Sequence, residues 1–220
     1  MKITHIVFDW DGTLADTYPV ISAAYTHTFQ ELSLTPIPYD EIKKITSTLA
    51  NKDTLGYVFG EKKEQAKKIY YEYIEKHHTL ELQPIPQARE VLDFCHDSHF
   101  DLRLLSNKKR PYLLAETDKL GFTKYFSKIG AAGDCSQDKP HPLAAKAVFD
   151  STPPPADSIL IIGDGMADWQ TARALDSDGK KTHCAIYDPA KTFTQETPDY
   201  RLIQLKDIIP ILKKEVFSHD

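Results

Sequence analysis

Long apolar runs are missing from this chain: no stretch approaches the roughly 20 apolar residues that a membrane-spanning helix needs. The apolar stretch nearest the start, residues 3–8, is too short for a signal peptide and runs into the charged Asp9, so a cytoplasmic protein is expected. Cysteine is scarce as well. Cys95, Cys135 and Cys184 lie far apart with no Cys-x-x-Cys pair, which excludes a disulfide framework and a zinc knuckle. His77, His78 and His141 lack the spacing of zinc ligands. Positive charge is not in excess either. The 27 Lys and Arg against 32 Asp and Glu leave a formal net charge of -5, which gives no general attraction for nucleic acid or an anionic membrane. What is present is a globular composition, 41% hydrophobic and 27% charged, in 220 residues, enough for one domain and a modest insertion.

Ile3-Thr4-His5-Ile6-Val7-Phe8 reads as a buried strand, because β-branched and aromatic residues run together up to the turn signal Asp11-Gly12. Residues 101–105, 128–132, 158–162 and 182–187 have the same character, and helical patterns separate most of them. Ala88, Val91, Leu92 and Cys95 fall at helix spacing after Pro84 and Pro86. Alternating strands and helices predict parallel pairing with right-handed crossovers, and hence a doubly wound parallel sheet of the α/β class.

Roughly seventy residues separate the first strand from the helix near Gln87, far more than a βα connection uses. Residues 17–32, 39–49 and 62–78 carry helix formers with apolar positions at three and four spacing, and Gln83-Pro84-Ile85-Pro86 punctuates the end. Residues 16–84 are therefore expected to form a small helical cap inserted into a core of residues 1–15 and 85–220. Lys62, Lys63, Lys67 and Lys68 stand among Glu61 and Glu64, the pattern of a solvated helix face.

Open α/β sheets bind ligands beyond the carboxyl ends of their strands, so the residues just after each strand share one crevice. Here they are Asp9-Trp10-Asp11-Gly12-Thr13, Ser106-Asn107, Lys139-Pro140 beyond a loop, and Gly163-Asp164-Gly165-Met166-Ala167-Asp168. Carboxylates, hydroxyls and an amine in one place suit a phosphoryl group and a hard cation. Asp9 is placed to attack phosphorus and become an acyl phosphate. Asp9 and Asp164 offer oxygen ligands to magnesium. Thr13, Ser106 and Lys139 can donate to phosphate oxygens, and Asp11 can protonate the leaving alcohol and then deprotonate water. Each residue also has a plain structural reading. Asp11-Gly12 is an ordinary turn signal, Asp164 and Asp168 can face a helix dipole, and Trp10 is expected to pack beneath the site. Residues 108–110 read first as a solvated helix start, with Lys108 the one contact expected for an anionic leaving group.

These segments resemble the haloacid dehalogenase superfamily, and within it the subfamily with a helical cap after the first strand, which includes the phosphoglycolate phosphatases. The first motif matches Asp9 to Thr13 followed by Leu14-Ala15-Asp16-Thr17, and the second matches Ser106 with Asn107-Lys108. Lys139 answers to the third, and Gly163-Asp164 with Asp168 to the fourth. The resemblance implies Asp9 as nucleophile and metal ligand, and Asp11 as acid/base that also lends its main-chain carbonyl to magnesium. It further implies Asp164 as a metal ligand and Asp168 as a residue behind the ligands. Ser106, Asn107 and Lys139 would then hold the phosphoryl group. A magnesium-dependent phosphatase acting on a small phosphorylated metabolite is expected, as a monomer or homodimer. Asp11 favours phosphate esters over the halides of the true dehalogenases. A sugar phosphomutase shares the same core, and a non-catalytic binding protein would keep the fold. Pro84-Ile85-Pro86-Gln87 and Lys44-Ile45-Thr46-Ser47 depart from the phosphoglycolate phosphatase pattern, which leaves the ester open.

Overall fold

The computed structural model describes residues 3–46, 54–149 and 154–217. In chain order they form β1 (His5–Phe8), β2 (Ala15–Asp16), α1 (Tyr18–Glu31), α2 (Tyr39–Thr46), α3 (Thr54–Phe59), α4 (Lys63–His77) and β3 (Gln83–Pro84). There follow α5 (Ala88–Asp97), β4 (Asp101–Lys109), α6 (Arg110–Leu120), β5 (Lys128–Ala132), β6 (Ile159–Gly163), α7 (Met166–Ala174), β7 (His183–Tyr187), β8 (Tyr200–Leu202) and α8 (Ile208–Phe217). The part of the expected helix 39–49 beyond Thr46 lies outside the described residues.

The chain divides into two compact units, residues 1–16 with 83–220, and residues 17–82. The first holds a six-stranded sheet in the order β5-β4-β1-β6-β7-β8, with every pairing parallel. This is the doubly wound α/β architecture. β1 lies in the middle because Ile6, Val7 and Phe8 are buried and pair with β4 on one side and β6 on the other. The chain runs outward from β1 to β4 and β5, then returns to β6, so the order reverses around β1. A reversal of this kind opens a crevice at the carboxyl ends of the strands. Leu104, Leu160 and Ile162 have no exposed surface, and each contributes roughly 1.5–3 kcal/mol by leaving water.

Two features differ from the sequence-based expectation. Asp16 and Gln83 pair antiparallel, as do Ala15 and Pro84, so Asp16, Gln83 and Pro84 belong to the first unit and not to the insertion. β8 was not expected, since three residues are too few to establish a periodicity.

The second unit is helical. Tyr25, Phe29 and Leu32 of α1 and its end pack with Ile42, Phe59 and Ala66. The Phe29 and Phe59 rings lie 4.8 Å apart and those of Tyr25 and Phe59 6.2 Å, so aromatic packing supplies much of a small core.

Candidate active site

Asp9 follows β1 directly. Its backbone N–H donates to the Ile162 carbonyl at 2.8 Å, which carries the parallel pairing with β6 one residue past the strand. The chain then turns tightly: the N–H groups of Leu14 and Ala15 both donate to the Trp10 carbonyl, at 3.0 and 3.1 Å, and Gly12 N–H donates to the Ala15 carbonyl at 2.9 Å. Gly12 has φ +74°, and a Cβ there would stand 2.5 Å from Asp164 Oδ2. Glycine is thus required twice at this position, once by the left-handed backbone and once by the approach of Asp164.

Asp9, Asp164 and Asp168 offer carboxylate oxygens within 4.8 Å of one another. Lys139 enters this group from the loop after β5, its Nζ 2.7 Å from Asp9 Oδ1 and 2.7 Å from Asp168 Oδ1. Asp168 also accepts from Gly165 N–H through Oδ2 at 3.2 Å, so it ties the start of α7 to the lysine. Burial, with the neighbouring Asp168 and Asp164, pushes the Asp9 carboxyl up to about 7, although Lys139 acts in the opposite sense. Burial alone would lower the Lys139 ammonium, but Asp168 and Asp9 outweigh it and hold the group above its usual value. A cluster of three carboxylates facing one ammonium carries excess negative charge, and its donors are all oxygen. That combination fits a small hard divalent cation.

Ser106 and Thr13 are both buried. Ser106 Oγ accepts from Lys108 N–H at 3.1 Å, whereas Thr13 Oγ1 has no hydrogen-bond partner among the described residues. A buried hydroxyl left in this way is costly unless a ligand completes it. The register of β4 against β5 shifts between Leu105 and Lys109, so Ser106, Asn107 and Lys108 sit on the irregular stretch, where bulges commonly re-aim side chains.

Asn107, expected beside the phosphoryl group, engages the main chain of Lys139. Its side chain donates to the Lys139 carbonyl at 2.9 Å and accepts from Lys139 N–H at 3.0 Å, so it clamps the main chain of the lysine with both ends of its amide. Asn107→Ala is accordingly expected to destabilise the protein by about 1–3 kcal/mol, since two partly buried backbone groups lose their partners. Urea unfolding of the purified variant checks this, and an unchanged midpoint would contradict the clamp.

Lys108 also differs from the solvated helix start expected of residues 108–110. Its Nζ lies 2.7 Å from Asp11 Oδ1 and 2.6 Å from Glu116 Oε2, and little of its side chain is exposed. Glu116 belongs to no motif. The one sequence signal lies in α6, where Leu113, Glu116, Thr117 and Leu120 share the buried face at helix spacing. Trp10 is fully buried, as expected, and in addition its Nε1 donates to Glu116 Oε2 at 2.6 Å.

The sequence profile of the haloacid dehalogenase-like hydrolases matches residues 6–178. Pyrophosphatase PpaX of Oceanobacillus iheyensis is 27% identical to this chain, over 96% of this chain and 98% of its own length. A phosphoglycolate phosphatase of Pseudomonas fluorescens is 26% identical, over 93% of this chain and 78% of its own. Among solved structures, a haloacid dehalogenase-like family hydrolase from Streptococcus pneumoniae superposes with a TM-score of 0.79 at 20% identity, covering 95% of this chain and 98% of its own. This last likeness concerns the fold. Among the described residues, no helix is long and apolar enough to cross a membrane.

Proposed function

This chain belongs to the haloacid dehalogenase-like hydrolases, and we propose that it is a magnesium-dependent phosphatase that releases phosphate from small phosphate monoesters. The observation that carries the reading is Asp9: a carboxylate at the end of the central strand, 2.7 Å from Lys139 and grouped with two further aspartates. Asp9, Asp164 and the main-chain carbonyl of Asp11 are the groups that would hold magnesium. When bound, the ion would offset the charge shared by the carboxylates and the phosphate and favour the ionised form of Asp9.

In the first step an Asp9 oxygen attacks phosphorus as the ester P–O bond breaks, and the leaving oxygen takes a proton from Asp11. In the second, Asp11 removes a proton from water, whose oxygen attacks the phosphoaspartate and frees Asp9 and inorganic phosphate. Lys139, Ser106 and the unpartnered hydroxyl of Thr13 would donate to the phosphoryl oxygens, Lys139 also carrying charge opposite to the nucleophile. Asn107 acts behind them by holding Lys139.

The test is phosphate release from a panel of monoesters and inorganic pyrophosphate, each with magnesium and with a chelator. Magnesium-dependent turnover of monoesters is expected, and no turnover of any compound would refute the reading. Pyrophosphate belongs in the panel because a relative is named for it. We further propose that residues 17–82 choose the substrate. A folded chimera carrying the corresponding segment of a related phosphatase should shift relative kcat/KM among esters while keeping its need for magnesium and Asp9. An unchanged ranking would move selectivity to the first unit.

A further inference from the structure

We propose that Lys108, braced by the buried carboxylate of Glu116, is a positioning residue that holds the Asp11 side chain in place for proton transfer. The inference rests on the phosphatase reading above in giving Asp11 that task. Four side chains form a closed circuit. Lys108 Nζ reaches Asp11 Oδ1 at 2.7 Å and the two Glu116 oxygens at 2.6 and 2.8 Å. Glu116 Oε2 accepts from Trp10 Nε1 at 2.6 Å, and Trp10 immediately precedes Asp11 in the chain. α6 therefore grips the Asp9–Asp11 loop twice, once at Trp10 and once through Lys108 at the carboxylate of Asp11.

Two observations separate this from ordinary packing. Glu116 has no exposed surface, and a buried ion pair is weak evidence for stability, since apolar residues of similar shape often replace one at no loss. What such a pair can supply is a defined geometry. Trp10 shows why geometry is at stake here: its indole is buried edge-on to Phe122 at 6.3 Å, and its N–H aims the loop at Glu116. Lys108 is anchored along its main chain too, by its N–H to Ser106 Oγ. Lys108 Nζ thus sits between two carboxylates, those of Asp11 and Glu116. With its charge engaged in this way, Lys108 serves the reaction through Asp11 and not as a contact for an anionic leaving group. A general acid must lie within hydrogen-bond reach of the oxygen it protonates, and small displacements are heavily penalised.

The decisive readout is dependence on the leaving group. In single-turnover phosphorylation with magnesium, Lys108→Met is expected to slow an alkyl phosphate on the order of 10- to 100-fold while 4-nitrophenyl phosphate, which needs little protonation, changes only a few-fold. In an Asp11→Asn background, Lys108→Met should add no further loss. Equal losses on both esters, or full additivity with Asp11→Asn, would overturn the proposal. Glu116→Gln keeps the shape and an acceptor for Trp10, so it provides a second variant should Lys108→Met fail to fold. It is expected to show the same ester-selective loss to a smaller degree, and an equal loss on both esters would again be contrary. Crystal structures supply a readout independent of turnover. In Lys108→Met the Asp11 carboxylate should leave its place while Asp9, Lys139 and Asp168 keep theirs, and an unmoved Asp11 would overturn the assignment. A wild-type protein inactive on both esters would instead count against the phosphatase reading, and the crystallographic comparison would still decide the role of Lys108.

Discussion

Asp9→Asn is expected to abolish phosphate release, with a loss on the order of 10⁴-fold or more, while the protein remains folded. The chemical reason is that an amide cannot form the acyl phosphate, so the two-step route closes and no other residue of the group replaces it. The structural reason that folding survives lies in the electrostatics. Asp9 keeps little exposed surface, and its desolvation, with Asp168 and Asp164 beside it, raises its carboxyl above the ordinary range in spite of Lys139. Replacing it by a neutral side chain of the same shape removes a like-charge repulsion and leaves an acceptor for the lysine. The melting temperature in metal-free buffer should therefore equal or exceed that of the wild type. Calorimetry and phosphate assay on the same preparation check both halves. Residual turnover near wild type would remove Asp9 from the mechanism, and a marked fall in melting temperature would show that its charge is structural.

Lys139→Met should have the opposite balance, losing stability as well as turnover. The ammonium is 2.7 Å from both Asp9 and Asp168 and only 4% of its side chain is exposed. Methionine keeps much of the length but strands carboxylates that are buried and mutually repulsive, a change that costs about 3–5 kcal/mol when one partner of a buried pair is removed. Urea unfolding gives the number. Magnesium should raise the melting temperature of the variant more than that of the wild type, because a cation then faces the same carboxylates without a competing ammonium. Equal stability of variant and wild type would mean that the aspartates find other compensation. A smaller magnesium effect in the variant would mean that Lys139 assists the ion instead of opposing it.

Much of the architecture could be read from periodicity and punctuation. β1, β4, β5, β6 and β7 each begin within two residues of the expected positions, because buried parallel strands demand short runs of β-branched and apolar residues and stop at turn signals. β4 runs on to Lys109 because its irregular stretch still pairs with Ala132, a continuation with no apolar signature. β8, three residues long, is too short to carry a periodicity of its own. The insertion was evident from its length and helical spacing, but its edges were not. Pairing of Asp16 with Gln83 is a contact between residues distant in the chain, and proline at 84 suggested a boundary where a short strand in fact forms.

The candidate site divides in the same manner. Asp9, Asp11, Ser106, Lys139, Asp164 and Asp168 could be named from their positions after strands, since a parallel sheet carries all strand ends to one edge whatever the side-chain details. The sequence by itself thus determined which residues follow the strands and, through its match to the haloacid dehalogenase-like hydrolases, the family. Only the tertiary structure decided who holds whom. Asn107 clamps Lys139, Lys139 bridges Asp9 and Asp168, and Lys108 joins Asp11 to Glu116 on α6. These partnerships depend on strand register, on the shift within β4 and on the burial of α6 against Trp10. Such relations link residues far apart in the chain, and short-range patterns of hydrophobicity carry no trace of them.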